Sequence, residues 1–379
     1  MKRLFLTLTI FILSISFYPV SAMEKTADIL KKNVVTFGDG LYVDPTVDGR
    51  YIYRGGNPNN YIKLGDDLYR IISVEKDGTI KVIKQESIGS MAWDEGNARK
   101  STNSEDFCTS TSGCKSWGNN TTTLDANGNK VTQMPWTIGD TLRNLPDEEA
   151  SLNTYLNNDF YNGLSDDVKS LIVEKTWNVG PTDMSQTNLL ESIKEESAYK
   201  WKGKVALINV TDYVKSSTNS DCKSVQDYQL NFNHGKGLCN NSISYNYLFD
   251  GTQCWTISPI SYNYDGYVLQ VNGIDGSIIN QYTSWNYGVR PVFYLSSEIT
   301  LTGKGTEINP YTLPKRNDVT EEPKDEENKD KNEVNVDNGQ VVEVPSTSAF
   351  GSIIIAGLGL VCVTGSAIIM RKTTGKNTK

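Results

Sequence analysis

The chain has a single histidine, His234, in its 379 residues. It sits in Asn233-His234-Gly235-Lys236-Gly237, and the sequence holds neither a Gly-x-Ser-x-Gly turn nor a His-Glu-x-x-His helix. The familiar serine-hydrolase and zinc-protease constellations are therefore missing. Cysteine is also sparse. There are six, with no Cys-x-x-Cys pair and no second histidine to complete a zinc set. Basic residues are in the minority, 37 Lys and Arg against 45 Asp and Glu, for a formal net charge of -8. That balance favours solubility and gives no basic footprint for nucleic acid. Asp125-Ala126-Asn127-Gly128-Asn129 has the look of a calcium loop but lacks the distal Glu, and a hairpin turn accounts for it better. No metal, no cofactor and no enzyme activity are expected.

Long apolar runs are confined to the two ends. Lys2-Arg3, the apolar stretch Leu4 to Tyr18 and the small-residue site Val20-Ser21-Ala22 make residues 1–22 a secretory signal. Residues 349–370 are uncharged and long enough to span a bilayer as a transmembrane helix. Arg371, Lys372, Lys376 and Lys379 follow, so 371–379 is expected to be a basic cytoplasmic tail. Residues 314–348 are acidic and nearly free of large apolar side chains. They cannot bury enough surface to offset chain entropy, and a disordered stalk is expected. The expected location is the cell surface, with the fold in residues 23–313.

Within 23–313 the periodicity changes twice. Tyr51–Arg54, Tyr61–Leu64, Leu68–Val74 and Thr79–Gln85 read as strands of an antiparallel meander, with turns at Gly65-Asp66-Asp67 and Asp77-Gly78. Residues 93–134 are rich in Asn, Thr, Ser and Gly and read as a loop insertion. Helices come next. Leu152, Tyr155, Leu156 and Phe160 share a helical face, Ser165 caps a helix over 166–176, and 186–197 is a third. Strand patterning returns at Cys254–Ser297, with a short strand at Trp255–Ile257 and a hairpin turning at Asp275-Gly276. Val292–Leu295 closes this frame. The fold class expected is α+β, antiparallel sheets with helices inserted between them.

Several ordered motifs carry a resemblance. Gly56-Asn57-Pro58-Asn59-Asn60-Tyr61-Ile62, Leu68-Tyr69-Arg70-Ile71-Ile72, Asp77-Gly78-Thr79-Ile80-Lys81, Trp255-Thr256-Ile257-Ser258-Pro259 and Gly288-Val289-Arg290-Pro291-Val292 together resemble a large family of exported bacterial surface proteins. The closing segment 250–297 is similar to the end of C-type-lectin-like domains. It lacks their Glu-Pro-Asn or Gln-Pro-Asp motif and keeps only Trp285-Asn286 of Trp-Asn-Asp, so calcium-dependent sugar binding is not implied. Val344-Pro345-Ser346-Thr347-Ser348, with the apolar span and basic tail behind it, resembles a sortase signal of the Leu-Pro-x-Thr-Gly type. Val344 replaces Leu and Ser348 replaces Gly. Sortase is the partner this resemblance implies, and a retained single-pass anchor is the other outcome.

Cys362 lies in the apolar span and reads as a small apolar residue. Of the five others, Cys108 with Cys114 and Cys222 with Cys239 close local loops and are expected as disulfides in an exported chain. Cys254 is then left as a free thiol. The expected ligand-binding residues are the loop aromatics Tyr262, Tyr264, Trp285 and Tyr287, with Ser261, Asn263, Asp265 and Asn286 among them. Tyr and Trp give rigid contact area with a polar handle. Tyr267 and Tyr282 are expected to pack inside. These residues point to a surface-displayed binding or adhesion module for a glycan or protein ligand. The alternatives are a secreted glycan or cell-wall hydrolase, which needs a cleft with two carboxylates of separated pKa, and a structural envelope protein.

Overall fold

Two antiparallel sheets with a shared core organise the chain, and the first is built around one long strand, Asp67–Val74. On one edge it pairs with Tyr61–Leu64 and, further along, with Tyr51–Arg54; on the other it pairs with Ile80–Lys84. The turn into Ile80–Lys84 needs Gly78, whose φ is 82°, and Asp77 Oδ1, which accepts from the amide and hydroxyl of Thr79. Gly40–Val43 extends the sheet beyond Tyr51–Arg54. Val292–Leu295 lies against Ile80–Lys84, and Val205–Ala206 and Ile172–Val173 lie on its far side. The sheet has eight strands.

The computed structural model describes residues 24–314, apart from 96–98, 100, 110–112, 136, 230–238, 240–244 and 262–265. The signal segment, the stalk beyond Pro314, Val344–Ser348, the apolar span 349–370 and the basic tail lie outside the described residues. So do His234, Tyr262 and Tyr264. Among the described residues no helix is long and apolar enough to cross a membrane.

The second sheet has five strands in the order Ile278–Tyr282, Tyr267–Val271, Cys254–Pro259, Asn286–Gly288 and Ser90–Ala92. All its pairings are antiparallel except the contact of Cys254 with Gly288. The strand expected at Trp255–Ile257 runs longer, as Cys254–Pro259, and is buried throughout. The spacing placed Val292–Leu295 in one frame with the hairpin. The chain instead leaves the second sheet after Gly288 and enters the first. Arg290 makes that crossing rigid, since Nε donates to the Lys84 carbonyl at 3.0 Å and Nη1 to the Leu248 carbonyl at 2.8 Å.

Residues 93–134 prove to be more than a loop. Trp93 and Trp117 are fully buried and meet edge to face, with centroids 5.3 Å apart. Thr123–Asp125 pairs with Tyr199–Gly203, which pairs in turn with Lys175–Asn178. The polar composition hides this because its polar atoms serve the backbone. Asn119 Oδ1, for example, accepts from the amides and hydroxyls of Thr121 and Thr122.

The helical stretch begins at Ser151–Tyr155, widens to a π turn over Leu156–Phe160 and ends at Tyr161–Gly163. In the wide turn Asn157 Nδ2 donates to the Val205 carbonyl at 2.9 Å while its Oδ1 accepts from the Val205 amide at 3.0 Å. Ser165 caps the next helix, but that helix stops at Leu171 rather than at 176. β-Branched Ile172 and Val173 leave it to pair with Leu295 and Tyr294. Asn188 caps Leu189–Ser197, and Val210–Lys215 is buried on every side. The fold is α+β and sheet-rich. The structure pairs Cys108 with Cys114 and Cys222 with Cys239, while Cys254 is a buried free thiol. Such bonds persist in oxidising surroundings, which suits an exported chain.

Candidate functional site

Of the four aromatic side chains expected to bind ligand, Trp285 and Tyr287 are described. Trp285 is 50% exposed, and Tyr287 is half-buried. Of the two tyrosines expected to pack inside, Tyr267 packs against the core and Tyr282 is not part of that cluster. They sit opposite each other in the hairpin, are both half-buried, and stack with centroids 4.3 Å apart. Tyr282 and Trp285 follow at 5.8 Å, then Trp285 and Tyr287 at 6.5 Å. The run is moored to the interior where Tyr287 meets buried Trp255 edge to face at 4.9 Å, and Trp255 Nε1 donates to the Met91 carbonyl. Burial pushes the Tyr287 phenol above its ordinary pKa. Asn286 is exposed beside the rings. Ser261 is not available there, because it is buried and its hydroxyl accepts from the Ile138 amide.

A second place was not singled out by the sequence patterns at all. A cavity of about 210 Å³ lies where the first sheet meets the helices Leu189–Ser197 and Val210–Lys215. Its lining includes Arg50, Glu75, Lys81, Glu196, Asp212 and Tyr294. Asp212 is the centre. Its Oδ1 takes Arg50 Nη1 at 2.9 Å and lies 3.5 Å from Lys215 Nζ, and its Oδ2 takes Lys81 Nζ at 2.8 Å. Burial alone would raise its pKa, but Arg50, Lys81 and Lys215 outweigh burial and hold it well below the carboxylate range. Asp44 accepts from the same Arg50 and Lys215 and is likewise lowered, the cations overcoming burial. Arg50 also reaches Glu75 and Ser73.

Glu196 shows the opposite shift. Burial raises its pKa, and the hydrogen bonds it accepts from Thr211 and Ser258 only partly offset that. The cavity thus holds two carboxylates with pKa values pushed apart. All four of their oxygens, however, already accept from protein donors. Among the described residues no group of His, Cys, Asp and Glu side chains is arranged to hold a metal ion.

The signal for this cavity in the sequence is slight. Lys81 and Ile83 share a face of Ile80–Lys84, and a lysine on a face that also carries a buried apolar residue marks an inward charge. The motifs that carry the family resemblance divide in two. Asn60, Arg70 and Arg290 pin the fold. Arg70 Nε donates to Asn60 Oδ1 at 2.6 Å, and its guanidinium lies 3.6 Å from the Tyr61 ring centroid and 4.8 Å from that of Tyr247. Lys81 and Ser258 reach the cavity cluster, the first through Asp212 and the second through Glu196.

A family model described as a domain of unknown function (DUF6273) matches residues 146–297. No curated protein and no solved structure matches the chain. The matched segment contains the aromatic run, Glu196 and Asp212. Arg50, Glu75 and Lys81 lie outside it.

Proposed function

We propose that this chain displays a glycan-binding module on the outside of the cell. The observation that carries the reading is the unbroken run Tyr267, Tyr282, Trp285, Tyr287 at one end of the second sheet. Rings in successive contact beside a rigid hairpin offer contact area to sugar units at little entropic cost. A protein ligand also favours Tyr and Trp, but four rings in successive contact suit a chain of sugars better. We read the hairpin and its crossing strand as remotely C-type-lectin-like, without the calcium ligands of that fold. The module would be carried on the acidic stalk and held by the span 349–370, either retained there or transferred to the wall by sortase after Thr347.

Binding of cells bearing the full chain to purified envelope glycans tests this. Trp285→Ala should abolish binding and Tyr282→Ala should weaken it, with both variants still folded. Unchanged binding in both variants would discard the reading. Protease added to intact cells should release a fragment that ends within 314–348, and protection from protease would discard the topology.

Glu196 and Asp212 support a second reading, a secreted glycan hydrolase, because their pKa values diverge within one cavity. Their oxygens are engaged by Thr211, Ser258, Arg50, Lys81 and Lys215, which leaves no bare carboxylate to meet a substrate. Release of reducing ends from envelope glycans, lost in Glu196→Gln, would favour it over binding alone.

A further inference from the structure

We propose that the cavity walled by Trp177 and Tyr294 is a second binding site, independent of the aromatic run, that takes one small neutral polyhydroxylated molecule such as a hexose or a short polyol.

The charge balance comes first. Arg50, Lys81 and Lys215 face Asp44, Glu75 and Asp212 across short contacts, and the further carboxyl in the lining, Glu196, is held by Thr211 and Ser258. Lys175 belongs to the same lining, but its Nζ is already bound to Asp77 Oδ2 at 2.6 Å. A carboxylate or ammonium ligand entering this set would meet a like charge as near as an opposite one. A neutral ligand disturbs nothing.

The hydrogen-bonding capacity left over comes next. Lys81 Nζ has three protons and places one on Asp212. Glu75 receives Arg50 and Ser73 on Oε1 alone, which leaves Oε2 as an acceptor. Tyr294 is 8% exposed and lines the cavity, and its Oη has no hydrogen-bond partner among the described residues. That hydroxyl meets solvent in the cavity, where a ligand hydroxyl would bond to it in place of water. Donors and an acceptor left side by side match a molecule whose every polar group both donates and accepts.

Shape agrees. The Trp177 and Tyr294 rings meet at 4.9 Å and form an apolar wall, over which Lys81 Nζ lies 5.1 and 5.4 Å from the two centroids. The volume of about 210 Å³ is below the usual range of about 300–1,000 Å³ for drug-sized ligands, so one sugar ring is the limit.

The test is titration calorimetry on the solubilised full-length protein with D-glucose, D-galactose, N-acetyl-D-glucosamine and glycerol. Acetate and ethylammonium serve as charged controls. One or more of the neutral probes should saturate at one per chain. Tyr294→Phe keeps the ring and removes only the hydroxyl, and it should weaken that probe about three- to tenfold without lowering the melting temperature. In a Trp285→Ala background, which removes the sugar binding of the aromatic run, the probe should still saturate at one per chain and still weaken on Tyr294→Phe, which separates the two sites. Lys81→Gln should abolish it where that variant folds; if it does not fold, Tyr294→Phe decides alone. The inference is overturned if no neutral probe saturates, if acetate or ethylammonium binds more tightly than the sugars, or if Tyr294→Phe binds as the parent does.

Discussion

Lys81 and Asp212 stand 131 positions apart in the chain and meet inside the protein, Nζ to Oδ2, at 2.8 Å. The contact ties the middle of the first sheet to the buried helix Val210–Lys215. Asp212 also neutralises Arg50, so one carboxylate holds together residues from three separate segments. Removing it should strand buried cations. Asp212→Asn is expected to cost about 3–5 kcal/mol, the usual penalty for breaking a buried pair from one side. Urea unfolding measures it, and a loss below about 1 kcal/mol would show that the cluster is better solvated than its burial implies.

The same carboxylates set the acid response. Asp212 and Asp44 are lowered by their cations against the effect of burial, and Asp77 is lowered to about 2 because hydrogen bonds from Lys175 and Thr79 outweigh burial. A group with a folded pKa below its unfolded value contributes stability that is complete above the unfolded value, near 3.9 for Asp. That contribution disappears as pH falls through the folded value. Melting temperature should therefore drop steeply below about pH 4, and Asp212→Asn should flatten the drop. An equally steep fall in the variant would assign acid unfolding to other groups.

Glu196 has the opposite sign. Its pKa is raised by burial, so the folded state is penalised as pH rises through that value and the ionised form becomes buried. Glu196→Gln removes the penalty. The difference in melting temperature, variant minus parent, should therefore grow more positive as pH rises above the unfolded value of about 4.3 and level off beyond the folded one. A difference that does not change with pH would mean that Thr211 and Ser258 already compensate the charge in full.

How far the sequence discloses this depends on distance along the chain. The meander and the hairpin at Asp275-Gly276 are local features, and the alternation over Tyr61–Leu64, Asp67–Val74 and Ile80–Lys84 displays them. The crossing of Val292–Leu295 into the first sheet depends on Arg290 reaching the carbonyls of Lys84 and Leu248, which no local pattern reveals. The core role of Trp93 and Trp117 is hidden for a related reason, since polar neighbours that serve the backbone give a loop-like composition. Trp285 was legible as an exposed aromatic because it follows a strand end directly. The cavity was not, because Lys81, Glu196 and Asp212 come from three elements and Arg50 from the segment before Tyr51–Arg54, and each alone reads as an ordinary charged residue.

The free thiol gives a direct check on the cysteine assignment. Cys254 is buried, and burial pushes it up to about 12. Only thiolate reacts, so the peptide carrying Cys254 should resist alkylation in the native protein and label fully in denaturant. The peptides carrying Cys108, Cys114, Cys222 and Cys239 should label only after reduction. Replacing both Cys222 and Cys239 with Ala should cost about 2–4 kcal/mol by freeing the unfolded chain. Native labelling of Cys254 would place it at the surface, and a bond from Cys254 to Cys222 or Cys239 would overturn the pairing.

The proposed glycan surface rests on one stacked pair. Tyr267 and Tyr282 face each other across the hairpin, and each is half-buried. One face of each ring lies on the partner, which stiffens the hairpin end, and Tyr282 also meets Trp285. A double-mutant cycle with Ala at both positions should give a coupling of about 0.5–1.5 kcal/mol in stability, as aromatic pairs do elsewhere. Trp285→Ala should shift stability by less than about 0.5 kcal/mol, since a half-exposed side chain contributes little to the core. Glycan binding should respond in the reverse order, with Trp285 the more costly loss. If Trp285→Ala instead destabilises the protein as much as Tyr282→Ala does, the run is a structural clasp and the binding surface lies elsewhere.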